Sequence, residues 1–272
     1  PPVYHPFFLV TQKNEREVVY SPLVLKDGQY HIDFDRFRRD VQGCKLLILS
    51  NPHNPGGRVW TKEELTAVAE ICLKHDVLLV TDEIHADIVY EGYKHYPLLS
   101  LDKRYEENFI LLTAPSKTFN VAGLKASMSI IPNKELREKF EHTQKAMSLD
   151  VRNTFGLECV SAAYTDEGEE WMKQEIAYMQ KNVDFLEKFV EEQMPGTKMI
   201  RPQGTFLCWL DLSELHLGDQ ELFQRVVFEA NVICVPGTWF GPGGEEHIRI
   251  NVGCPQSMLK EAIERIQKVL YK

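Results

Sequence analysis

The chain predicts an α/β fold: a mostly parallel central sheet with helices on both faces, joined to a smaller α+β carboxyl-terminal domain. Three observations predict it. Short apolar runs of strand length recur at residues 46–49, 77–80 and 109–112, with a helical pattern between the first two. These runs are continuously apolar rather than alternating, as expected of strands covered on both faces. From about residue 169 the pattern changes to one long amphipathic stretch followed by mixed strands and helices. A chain of 272 residues has room for two domains, and the change divides it into 1–168 and 169–272.

Each element has its own justification. Leu46, Leu47, Ile48 and Leu49 form the first strand and run into a loop rich in proline and glycine. Thr61-Lys62-Glu63-Glu64 is a capping box, and Leu65, Val68, Ala69 and Cys72 follow at helical spacing. Residues 77–80 complete a βαβ unit. Residues 109–112 lead directly into Ser116-Lys117-Thr118, and residues 127–131 continue the sheet until Pro132, ahead of a charged amphipathic helix near Lys134. In 169–193, Ile176, Met179, Val183, Leu186, Phe189 and Val190 fall at helical intervals, giving a long helix that links the domains. Beyond Pro195 the pattern reads as a strand (205–212), a helix (219–231), short strands (232–235 and 247–252) and a last helix (256–271).

Composition excludes several partners. A net charge of -9 and a pI near 5.5 offer no basic field for nucleic acid. No apolar run approaches the length of a bilayer span, so no membrane contact is expected. The six cysteines never form a close pair and read as reduced residues of a cytoplasmic protein. The nine histidines lack metal-ligand spacing, so no metal is expected.

Ligands of open α/β sheets gather beyond the carboxyl ends of strands, where three chemically loaded residues fall. Asn54 lies in Asn51-Pro52-His53-Asn54-Pro55-Gly56-Gly57, Asp82 in Thr81-Asp82-Glu83-Ile84-His85, and Lys117 in Ala114-Pro115-Ser116-Lys117-Thr118-Phe119-Asn120. Alone, each has an ordinary reading: a tight turn, a helix cap, a solvated charge. A P-loop is excluded because no G-x-x-x-x-G precedes the lysine. Taken together, they supply an amine able to form a Schiff base, a carboxylate able to hold a pyridinium proton, and an amide able to bond a phenolic oxygen. Those are the requirements of pyridoxal phosphate (PLP). His85 reads as a partner of Asp82 or the ring oxygen, or equally as a core histidine. Tyr4 reads as a stacking ring or a core residue. Arg249, on the alternating strand His247-Ile248-Arg249-Ile250-Asn251, offers a bidentate fork for an α-carboxylate. The glycines of residues 237–244 read as a mobile active-site loop, since no βαβ unit frames them as a dinucleotide loop.

These motifs, with Val121-Ala122-Gly123-Leu124, Asp87 and Pro202-Gln203-Gly204-Thr205-Phe206, resemble the fold type I PLP enzymes of the class I and II aminotransferase superfamily, and within it the cystathionine β-lyase and carbon-sulfur lyase branch. The resemblance spans nearly the whole chain. It implies a PLP-transferase-like fold, Lys117 as the residue bound covalently to PLP, Asp82 on the pyridinium nitrogen, Asn54 on the ring oxygen, Tyr4 stacked on the ring and Arg249 on the substrate carboxylate. It also implies cofactor contacts at His85, Ser116 and Lys125. Histidine at 85, where aspartate aminotransferase has tyrosine, favours a lyase. Ala114 and Lys125 depart from the serine or threonine and the arginine that many relatives use for the phosphate. The resemblance implies a small-molecule amino-acid substrate and a homodimer. Relatives carry a further amino-terminal segment with a glycine/serine phosphate loop, so the chain is expected to be part of something longer. Three functions follow as expectations: β-elimination from a cystathionine- or cysteine-type substrate, transamination, or a fold retained without activity.

Overall fold

The computed structural model describes residues 1–271. In chain order, helix α1 (Pro6–Lys13) precedes a hairpin of β1 (Leu23–Lys26) and β2 (Gln29–Ile32), then α2 (Phe34–Asp40). The hairpin turns at Asp27-Gly28, both at positive φ, the conformation a two-residue hairpin loop requires. Next come β3 (Leu46–Ser50), α3 (Lys62–Lys74), β4 (Leu78–Asp82), β5 (Phe109–Thr113), β6 (Met128–Ile130), α4 (Lys134–Ala146), α5 (Thr154–Ala163) and α6 (Asp166–Gln193). The chain continues with β7 (Lys198–Ile200), β8 (Leu207–Asp211), α7 (Gly218–Phe223), β9 (Val235–Pro236), β10 (His247–Asn251) and α8 (Gln256–Leu270). The chain forms two compact units: one comprises Pro1–Phe37, His53–Arg58 and the residues from Ala177 onward, the other Arg38–Pro52 and Val59–Ile176.

The second of these units holds the α/β sheet, in the order β3-β4-β5-β6. Strands β3, β4 and β5 are parallel, with Ser50 opposite Asp82 and Asp82 opposite Leu112, so Asp82 ends the central strand. The capping box forms as expected: the Thr61 hydroxyl accepts from the Glu64 N–H at 3.2 Å, and the Glu64 carboxylate accepts from the Thr61 N–H at 2.8 Å. Leu65, Val68, Ala69, Ile71 and Cys72 form the buried stripe of α3. Residues 127–131 do not extend the parallel run, because β6 pairs antiparallel to β5. The connection between those strands holds only turns and the short 3-10 segment Ala122–Leu124, whereas a parallel return needs a crossover, usually a full helix. Helix α4 seats Leu136 and Phe140 against Val80, Ile110 and Ile131 of this sheet.

The other unit is built on an antiparallel sheet, β7-β8-β10-β9. Tyr30, Ile200, Trp209 and Phe240 form one core cluster in it, and the Trp209 indole N–H donates to the Tyr30 hydroxyl at 3.1 Å. Asn182 of α6, fully buried, donates from its amide nitrogen to the carbonyls of Val252 and Cys254 at 2.9 and 2.8 Å, so that nitrogen is bonded rather than stranded.

Three expectations for this region change. The helix over 219–231 is α-helical only to Phe223 and continues as the wider π-turn Gln224–Glu229. The strand over 232–235 shrinks to Val235–Pro236, since Ile233 is 94% exposed and has no face to cover. The 237–244 segment is pinned rather than mobile: Phe240 is fully buried, its carbonyl accepts from the Val3 N–H at 2.9 Å, and a Cβ on Gly237 would meet the Gly244 oxygen at 2.0 Å.

Candidate active site

The α/β unit carries Asp82, His85, Ser116, Lys117 and Lys125. Asp82 is placed by the register of β4. One of its carboxylate oxygens accepts from the Ile84 N–H at 3.1 Å, and among the described residues no donor meets the other. Burial pushes its pKa up, while the Ile84 N–H and the Lys117 ammonium pull the other way. The lysine and the aspartate therefore share one electrostatic neighbourhood, yet among the described residues they form no ion pair. This is the donor set that fits PLP: a shielded carboxylate wanting a cationic partner, and an amine near it but not spent on it.

Lys117 stands four residues beyond the end of β5, in a turn closed by the Phe119 N–H to the Pro115 carbonyl at 2.9 Å and the Val121 N–H to the Ser116 carbonyl at 3.1 Å. Ser116 is buried and Lys117 half-buried. His85 is buried in the turn that follows Asp82. Lys125 is exposed, at the end of the short 3-10 segment with φ of 51°.

The antiparallel unit carries Tyr4, Asn54 and Arg249. Arg249 donates to the Asn54 side-chain oxygen at 2.8 Å, and its guanidinium carbon lies 4.9 Å from the centre of the Phe240 ring. Burial lowers the Arg249 pKa, and the neighbouring Tyr4 phenol works against that. The structure thus brings all three residues together and adds a bond that the sequence did not announce. His5, next to Tyr4, has its ring 5.4 Å from that of Trp239; burial, then Arg249, lowers its pKa.

The loop bearing Asn54 is held from within this unit. The buried His53 donates from Nε2 to the Pro2 carbonyl at 2.9 Å, because a carbonyl can only accept. Burial lowers the His53 pKa to about 3, so the ring is neutral. Gly57, at φ of 65°, lies so close to Pro202 that a Cβ would come within 2.4 Å of its ring. The Gly57 carbonyl accepts from the N–H groups of Gln203 and Gly204 at 2.9 and 3.1 Å. Arg58 bonds the Tyr30 carbonyl and the Gln203 side chain at 3.2 and 2.8 Å.

Sequence reasoning missed a group of supporting residues. Glu83, only 2% exposed, accepts from the Thr81 hydroxyl at 3.1 Å, the Leu98 N–H at 3.1 Å and His95 at 2.8 Å. Thr118 donates to Asp87 at 2.9 Å. Adjacency was the one signal available, since Glu83 follows Asp82 and Thr118 follows Lys117.

Comparison with known proteins settles the family. The sequence profile described as "Aminotransferase class I and II" matches residues 1–266. The chain belongs to that family. It is 42% identical to the cystathionine beta-lyase PatB of Bacillus subtilis (strain 168), a match covering 99% of this chain and 70% of that protein. The family member superimposes on cystalysin of Treponema denticola, whose crystal structure contains pyridoxal 5'-phosphate, with a TM-score of 0.96 and 36% identity, covering 99% of this chain and 69% of that one. It matches the PLP-bound C-S lyase of Staphylococcus hominis with a TM-score of 0.92 and 34% identity, over 100% of this chain and 69% of that one. The PLP-transferase-like α/β fold is thereby established for this chain. Among the described residues no helix is long and apolar enough to cross a membrane, and no cluster of side chains suits a metal ion.

Proposed function

We propose that this chain is a PLP-dependent carbon-sulfur β-lyase acting on a cystathionine- or cysteine-type amino acid. The observation that carries the reading is the shielded Asp82 carboxylate under the influence of the Lys117 ammonium, with no ion pair between them. When bound, PLP supplies a sink for the electron pair released at the substrate α-carbon. Asp82 would hold the proton of the ring nitrogen, and so keep the positive charge that draws those electrons. Lys117 would hold PLP covalently, and its Nζ would be the base placed to take the substrate α-proton. Asn54 would bond the ring oxygen, Tyr4 would cover a ring face, and His85, Ser116 and Lys125 would make the remaining contacts.

Arg249 holds the substrate α-carboxylate through its planar fork. Its bond to Asn54 and its place over Phe240 fix that fork before substrate arrives, so little orientational freedom is lost on binding. The carbon-sulfur bond then breaks, and sulfur leaves with the electron pair and a proton as a thiol. The 2-aminoacrylate left behind takes up one water and yields pyruvate and ammonia.

Transamination is the second reading, favoured by the family's own description. The two separate in one assay: full-length protein with PLP and cystathionine, and no keto acid. Thiol and pyruvate in equal amounts are expected. Turnover only after a keto-acid acceptor is added would overturn the lyase reading. The working assembly in this reading is a cytoplasmic homodimer, with a large PLP domain over residues 1–168 and a small domain over 169–272.

A further inference from the structure

Two turns of the α/β unit carry the chemistry proposed above, one after β4 with Asp82 and His85, the other after β5 with Lys117. Neighbouring strands hold the bases of these turns: the Glu83 N–H donates to the Leu112 carbonyl at 2.8 Å. Beyond the strands, the Thr118 hydroxyl of one turn donates to the Asp87 carboxylate of the other at 2.9 Å. Thr118 directly follows Lys117 in the chain and is fully buried, and Asp87 lies in the turn that begins at Asp82. A hydroxyl bonded to a carboxylate is among the stronger hydrogen bonds of a protein, more so when buried.

The surroundings make this contact specific. On the other side of Thr118, the Phe119 ring packs edge-on against Tyr164, with centroids 5.6 Å apart, and stacks on Trp171 at 5.9 Å. Burial, with Asp87 adding to it, pushes the Tyr164 phenol up to about 12, so tyrosine stays a neutral neighbour of the carboxylate. The residues after the lysine are thus clamped twice, once by rings at Phe119 and once by charge at Thr118. An amine that must meet a ring at fixed distance loses much of its rate when its mount moves by a fraction of an ångström.

We propose that Asp87 is a positioning residue for Lys117: through the Thr118 hydroxyl it ties the lysine turn to the turn that carries Asp82 and His85. The proposal rests on the PLP reading for its consequence in catalysis. The tie itself is a property of the chain and is measurable without it.

The test uses the full-length protein and the variants T118V, T118S and D87N. T118V keeps the shape of the side chain and removes the hydroxyl, T118S keeps the hydroxyl, and D87N keeps an acceptor oxygen without the charge. Amide hydrogen exchange is followed over residues 115–121 in the absence of PLP. In parallel, borohydride fixes PLP on Lys117 and the rate of fixation is measured. T118V is expected to lose about tenfold or more of the exchange protection in the turn, with β3, β4 and β5 unchanged, and to slow fixation. T118S is expected to restore both, and D87N to fall between. Wild-type protection in T118V, or equal loss in T118V and T118S, would overturn the proposal. Should T118V fail to fold, D87A replaces it, and wild-type protection there would equally overturn it. If the wild-type protein fixes no PLP, the functional reading fails, while the exchange result still decides whether the tie exists.

Discussion

Asp82 is costly to the chain without its partner. Its raised pKa means that the folded chain keeps a proton that the unfolded chain releases. The stabilising contribution is therefore present below the ordinary value of 3.8 and is lost as pH rises through the raised one. Asparagine carries no charge to desolvate. Accordingly, D82N is expected to make the PLP-free protein more resistant to urea at pH 7, an advantage that shrinks as pH falls towards 3.8. With PLP and substrate the same change is expected to lower kcat/KM on the order of a hundredfold or more, the scale of an unpaired buried charge partner. His53 has the opposite sign. It remains neutral in the folded chain down to about 3 and takes up a proton near 6.5 when unfolded. Stability is thus lost as pH falls from 6.5 towards 3, at up to ~1.4 kcal/mol per pH unit. H53Q, which still offers an N–H to the Pro2 carbonyl, is expected to flatten that slope in urea titrations between those pH values.

At the scale of elements, local chemistry and packing divide the work. The α3 capping box and its stripe were legible because cap, spacing and burial all agree in one stretch of sequence. Lys117 and Asn54 stood out because strands end shortly before them, and Asp82 because it closes one. The antiparallel turn of β6 was not legible, since it depends on what the connection lacks rather than on the apolar run itself. Nor was the bond between Asn54 and Arg249, whose partners lie far apart in the chain. The same holds for Thr118 and Asp87, two ordinary polar residues until the turns bring them together. Gly57 shows how a loop earns its shape from a distant neighbour: Pro202 leaves no room for a side chain and the backbone is left-handed. G57A is expected to cost about 1–3 kcal/mol in denaturant unfolding, with KM rising more than kcat falls because Asn54 and Arg249 lose their alignment.

For the whole molecule, each of the two units carries its own groups. Within one, an amine and an acid stand at adjoining strand ends; within the other, an amide and a guanidinium are bonded to each other. Family membership and the fold rest on matches along nearly all of the chain, which itself spans about 70% of PatB. The central claim is that Lys117 and Asp82 serve one ring. The most direct measurement is borohydride reduction of the full-length protein with PLP, followed by peptide mapping, in wild type, K117A and D82N. The account predicts the adduct on Lys117 in wild type, none in K117A, and in D82N an adduct on the same residue that is held less tightly. An adduct on another lysine, or D82N retaining PLP as wild type does, would contradict it.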